Sequence, residues 1–257
     1  MGAIFNPPPD FSLPLAKEAA GLVLNAYDEF TQGPAWKIKP GYDLLQRLHA
    51  KPEGWFAENE LFGFVAQNQT SRDVFVTFRG TQSPEDWFSN VTFPQVPHPK
   101  WGKVEEGFFN LYKQCSNDVK QAVAGAGQAR VFVTGHSLGG ALATLATADL
   151  ILAGTDASMY NFASPRTGDL DFADQFDRNV DVKWRVVNTE DIVTTVPLAT
   201  LKLESTKINP LHEIFEIATR LGNNLDFEHV GIPVNFTTHK GSILNNHKMQ
   251  TYADALP

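Results

Sequence analysis

The chain has 257 residues, 42% of them hydrophobic and 19 of them phenylalanine, enough for a large core. A net charge of −8 and a pI near 5.3 argue against a nucleic-acid partner, which needs a basic face, and disfavour attraction to anionic lipid surfaces. The single cysteine, Cys115, excludes an internal disulfide, and no stretch is long and apolar enough to span a bilayer.

No linker or repeat divides the chain, so residues 1–257 are expected to form one domain. No Sec-type leader is read at the N-terminus, which leaves the compartment open. Asn6-Pro7-Pro8-Pro9-Asp10 predicts a stiff extended arm before the fold begins. Apolar residues at helical spacing from Leu15 to Phe30, after Pro14, predict a helix. Gly54 to Gln67 predicts a hairpin turning near Asn59-Glu60. Asp73 to Phe78 is apolar at almost every residue, as a strand covered on both faces should be. A helix over Gly107 to Ala124 follows, with Cys115 as an inert buried thiol.

Val131-Phe132-Val133-Thr134-Gly135-His136-Ser137-Leu138-Gly139-Gly140 then joins a β-branched strand to a small-residue helix through a glycine-flanked serine. In that context G-x-S-x-G sets the serine on a sharp strand-to-helix turn with its hydroxyl exposed at the sheet's carboxyl edge. Further strands are predicted at Ser158–Ala163, Val182–Val187, around Leu201–Leu203, and at Val230–Phe236, the last near an edge because of Pro233. Helices are predicted over Asp171–Phe176 and from Met249 to Leu256. Strands alternating with helices imply an α/β fold with a mainly parallel sheet covered on both faces.

A serine nucleophile needs an imidazole to take its proton and a carboxylate to orient that imidazole, here in the chain order Ser, Asp or Glu, His. The loop Asn188-Thr189-Glu190-Asp191 directly follows a strand; Asp191 is preferred and Glu190 is its rival. Order removes His49, His98 and His136, the last expected to support the nucleophile turn. Among His212, His229, His239 and His247, the preferred base is His247, in a polar loop before the final helix. The oxyanion donors are Leu138, the residue after the nucleophile, and Thr81, just past the Val74–Phe78 strand.

These residues resemble the class 3, or fungal-type, lipases, an α/β-hydrolase family, from about Ala16 to Leu256. The resemblance rests on Phe75 to Thr81 with Asp86-Trp87, Glu106-Gly107-Phe108, Gly135 to Gly140, Ala163 to Gly168, Arg185 to Pro197, and His247-Met249-Tyr252. It implies an α/β-hydrolase fold with a lid segment and a triad of Ser137, Asp191 and His247, with Thr81 and Leu138 as oxyanion donors. The implied lid is Pro84 to Gly102, with Trp87, Phe88, Val91 and Phe93 against lipid. The family's Asp nine residues after the oxyanion Thr is Asn90 here, which can still accept a hydrogen bond but carries no charge.

The implied activity is carboxylic-ester hydrolysis, first of all as a triacylglycerol lipase or esterase, on an ester or lipid substrate at a lipid–water interface. Phospholipase A1 or feruloyl-type esterase activity is the alternative, and a non-catalytic scaffold a third. No metal or other cofactor is implied, because no H-E-x-x-H, Cys/His cluster or Ca-loop spacing occurs.

Overall fold

A computed structural model describes residues 4–51, 60–81, 93–197 and 226–257. In chain order the elements are β1 (Ile4–Phe5), α1 (Leu13–Gln32), β2 (Tyr42–Ala50), β3 (Glu60–Asn68), β4 (Val74–Phe78), β5 (Gln95–Pro97), β6 (Lys103–Glu105), α2 (Glu106–Gly125), β7 (Val131–His136), α3 (Leu138–Leu152), β8 (Ala157–Phe162), α4 (Leu170–Asn179), β9 (Lys183–Asn188), a 3-10 turn (Ile192–Thr195), β10 (Ile232–Thr237), α5 (Ile243–His247) and α6 (Met249–Ala255).

Eight strands form one sheet in the order β1-β10-β9-β8-β7-β4-β3-β2. The run from β4 to β10 is parallel, while β2, β3 and β1 join antiparallel. Side chains alternate across each strand, and the two faces carry separate cores. Val74, Val76, Phe78, Val131 and Val133 face α2, α3 and α4, whereas Phe75 and Phe132 stack at 5.3 Å toward α1 and α6. A strand buried on both sides has no polar face to show, which is why β4 is apolar at every residue but Thr77. In α1, Ser12 caps the first turn, Pro14 fits it, and Ala16, Ala19, Ala20 and Ala26 let the helix lie close to the sheet.

Several expectations change. The segment 54–67 is not a hairpin with itself: β3 pairs with β2 on one side and β4 on the other, so both partners lie outside it. Residues 52–59, including the expected turn at Asn59, lie outside the described residues. The fold also begins before the Pro7-Pro8-Pro9 run, because Ile4 and Phe5 add an edge strand to β10. That strand covers only Phe236 and Thr237, so Pro233, with no N–H to donate, sits where the edge is open. Within the 84–102 segment, Phe93 is buried against Phe227, β5 pairs with β6 just beyond the segment in a two-stranded ribbon, and Trp101 packs on Phe172 and Phe176. Trp87, Phe88, Asn90, Val91, the Leu201–Leu203 strand and His212 lie outside the described residues. Cys115 is buried, and burial pushes its thiol up to about 12.

Candidate active site

Ser137 lies between β7 and α3 with φ 58° and ψ −128°, a left-handed conformation that L side chains rarely adopt. Tight packing beneath the turn demands the flanking glycines. A Cβ on Gly135 would fall 2.0 Å from the Gly139 carbonyl oxygen, and one on Gly139 would fall 2.5 Å from that of Arg79. The Ser137 N–H donates to the Phe162 carbonyl at 3.1 Å, tying the turn to the end of β8.

His247 closes α5, and its Nε2 lies 2.8 Å from Ser137 Oγ. Its Nδ1 lies 2.7 Å from Asp191 Oδ2. Asp191 opens the 3-10 turn, and its Oδ1 accepts the Val193 N–H at 3.0 Å. Tyr252 O–H donates to the same Oδ2 at 2.7 Å and accepts the Asn188 N–H at 3.2 Å. Burial, followed by the adjoining carboxylate, raises the Tyr252 hydroxyl well above its ordinary range, so it stays a donor. With Oδ2 accepting from two sides, the imidazole carries its proton on Nδ1 and turns the Nε2 lone pair to the serine hydroxyl. All three residues are at most 3% exposed.

Asn188 holds the two loops together. Its Nδ2 donates to the carbonyls of Thr238 and Asn246, and its Oδ1 accepts the N–H groups of Glu190 and Thr238, so all four bonding positions are used. Glu190, the rival acid, points away and meets His239 Nδ1 at 3.3 Å on the surface. Thr81 lies three residues beyond β4, and Leu138 opens α3, whose first N–H groups have no acceptor within the helix. Arg79 braces the turn before Thr81 by donating to the Leu61 and Gly80 carbonyls, each at 2.8 Å.

Residues 75–201 match the family model Lipase (class 3). This match places residues 75–201 among the class 3 lipases. A lipase of Rhizomucor miehei is 33% identical over 146 residues, which cover 52% of this chain and 40% of that protein. A chloroplastic phospholipase A(1) of Arabidopsis thaliana is 30% identical over 202 residues, covering 61% of this chain and 45% of that protein. The chain therefore spans less than half the length of these curated relatives. The crystal structure of a lipase from Rhizopus microsporus var. chinensis superposes with a TM-score of 0.60 at 26% identity, covering 77% of each chain. The family's fold is the α/β-hydrolase fold, and the mainly parallel sheet with helices on both faces is its architecture here.

Among the described residues, no cluster of three or more His, Cys, Asp or Glu side chains is placed to hold a metal, and no helix is long and apolar enough to cross a membrane. Tyr27, Asn188 and the bonding role of Tyr252 escaped the sequence reading; each acts through partners far away in the chain. Only Tyr252 had a local signal, standing five residues after His247 in the same terminal segment.

His229 supports the acid loop from below, its Nε2–H donating to the Thr194 carbonyl at 2.7 Å. Burial, reinforced by Arg185 and Arg166, lowers its pKa from 6.5 to about 3. The folded value lies below the unfolded one, so on acidification the unfolded chain takes the proton first, and stability is lost progressively below pH 6.5. His229→Gln keeps a donor for Thr194 and removes the titration. Urea denaturation at pH 7 and pH 4.5 is expected to show the parent losing roughly 2 kcal/mol more than the variant between the two.

Proposed function

We propose that the protein is a serine carboxylic-ester hydrolase acting on acyl lipids, with Ser137, His247 and Asp191 as nucleophile, base and orienting acid. The observation that carries this reading is the continuous hydrogen-bonded line from Ser137 Oγ through His247 to Asp191 Oδ2, with steps of 2.8 and 2.7 Å. His247 Nε2 takes the hydroxyl proton as Ser137 Oγ bonds to the ester carbonyl carbon. The carbonyl oxygen gains negative charge, which the N–H groups of Leu138 and Thr81 and the field at the start of α3 stabilise. The imidazolium returns the proton to the departing alcohol, leaving an acyl-serine. Water repeats the cycle and releases the carboxylic acid.

Triacylglycerol and partial acylglycerols are the preferred substrates; the relatives include a lipase and a phospholipase A(1). The net charge of −8 favours neutral acylglycerol over anionic phospholipid. Segment 84–102 is proposed as the lid, in keeping with a nucleophile that is only 3% exposed in water. A complete, hydrogen-bonded site speaks against a non-catalytic scaffold.

A fluorophosphonate probe tests the reading. Stoichiometric labelling of Ser137, with parallel loss of p-nitrophenyl butyrate hydrolysis, is the expected result. An unlabelled, folded protein without esterase activity overturns it.

A further inference from the structure

The nucleophile turn carries a second buried imidazole that the proposed chemistry does not use. His136 is the last residue of β7 and is buried, its ring centroid 4.8 Å from that of His247. Its Nε2 lies 2.7 Å from the His247 carbonyl oxygen and its Nδ1 lies 2.8 Å from Tyr27 Oη. Tyr27 stands on α1 and also receives the Gly80 N–H at 2.8 Å.

Donor and acceptor rules leave one arrangement for this chain. A carbonyl oxygen only accepts, so His136 Nε2 carries the proton and Nδ1 offers its lone pair. Tyr27 therefore donates its O–H to Nδ1, which frees its oxygen to accept from Gly80. Each of these groups thus has a partner along the line from Gly80 N–H to the His247 carbonyl. A second proton on His136 would face the Tyr27 O–H and break the line, and would also place a cation beside His247. Burial, with repulsion from His247, keeps His136 well below its ordinary pKa, which preserves the neutral form. The contact is tight: a Cβ on Gly80 would fall 2.4 Å from Tyr27 Oη and 2.9 Å from Ser137 Cβ.

We propose that Tyr27 and His136 are positioning residues, forming a relay that ties the oxyanion turn at Gly80-Thr81 to the main chain of His247. The relay joins the end of β4, α1, the end of β7 and the end of α5 around Ser137, adding a side-chain line to the β4–β7 pairing and the Ser137–His247 contact. It sets the separation between the group that takes the proton and the group that receives the negative charge. Both are needed in the same transition state, so an error in either lowers kcat more than it raises KM.

This inference rests on the proposed roles of Ser137 and His247, and the wild-type protein supplies that control. Labelling of Ser137 by a fluorophosphonate and hydrolysis of p-nitrophenyl butyrate establish the site before any variant is compared. Tyr27→Phe removes one hydroxyl, His136→Leu removes both ring nitrogens, and His136→Gln restores a donor and an acceptor on one side chain. With rates expressed per titrated active site, Tyr27→Phe and His136→Leu are expected to lower kcat by about 10- to 100-fold with KM within about twofold. His136→Gln is expected to recover most of the loss. The Tyr27→Phe/His136→Leu double variant should be no slower than His136→Leu, since both cut one line. A Tyr27→Phe kcat within twofold of the parent, or losses that multiply in the double variant, overturns the relay. Active-site titration excludes misfolded protein from each rate, so poor folding does not imitate either outcome.

Discussion

Ser137→Gly and Ser137→Ala are both expected to lower kcat by about 10⁶-fold, yet the glycine variant should be the more stable of the two. Both substitutions remove the hydroxyl and leave His247 Nε2 without its 2.8 Å partner, so that loss cancels in the comparison. What remains is the backbone at φ 58° and ψ −128°. A Cβ in that region carries strain on the order of 1–3 kcal/mol, which glycine lacks. At an ordinary position glycine is the less stable residue by roughly 0.5–1 kcal/mol, because its unfolded chain is freer. Reversal of that order marks a turn that holds the nucleophile in a conformation its side chain disfavours. Denaturant midpoints of the two variants give the sign directly. Alanine equal to or above glycine in stability would show that the turn stores no strain, and activity retained above a hundredth of the parent would remove Ser137 from the mechanism.

The nucleophile turn was legible because everything it needs is local. A β-branched strand, two glycines and a helix of small residues follow one another without interruption, and the structure places Ser137 at their junction. The sheet was legible for a similar reason, since strands buried on both faces write largely apolar runs into β4 and into Val131–Val133 of β7. The β2–β3 pairing was not. β2 contains Gln46, Arg47 and His49 and alternates between buried and exposed positions only imperfectly, as an edge strand with two register shifts does. Its apolar signal was weak, and the stronger segment 54–67 was read as pairing with itself. The choice between Glu190 and Asp191 shows the limit within a site. Adjacent residues in a loop point opposite ways, and it takes the clamp of Asn188, the Val193 N–H and the distant Tyr252 and His247 to hold Asp191 inward. Tyr27 carries no sequence mark of its contact with His136, 109 residues away, because its neighbours on α1 read as an ordinary amphipathic face.

Asp191→Asn is expected to lower kcat/KM by about 10³- to 10⁴-fold, and the reason depends on which way the amide turns. The carboxylate serves donors on both sides: Val193 N–H at Oδ1, and His247 Nδ1–H with Tyr252 O–H at Oδ2. An amide has one oxygen, so one side must face its NH2 group. With NH2 toward His247, the imidazole must accept at Nδ1 and hold its proton on Nε2, and no base then faces Ser137. With NH2 toward Val193, the tautomer survives, but the start of the 3-10 turn is disrupted and the imidazolium loses its negative partner. Tyr252 biases this choice, because its O–H is satisfied only while an oxygen occupies the Oδ2 position. Tyr252→Phe should therefore cost more in the Asp191→Asn background than beside the native carboxylate, where both oxygens accept whichever way the group lies. Measuring kcat/KM for the parent, both single variants and the double variant closes the cycle. A retained tenth of the parent activity in Asp191→Asn would rule out the carboxylate as the orienting acid, and equal Tyr252→Phe effects in the two backgrounds would show that Tyr252 does not choose the orientation.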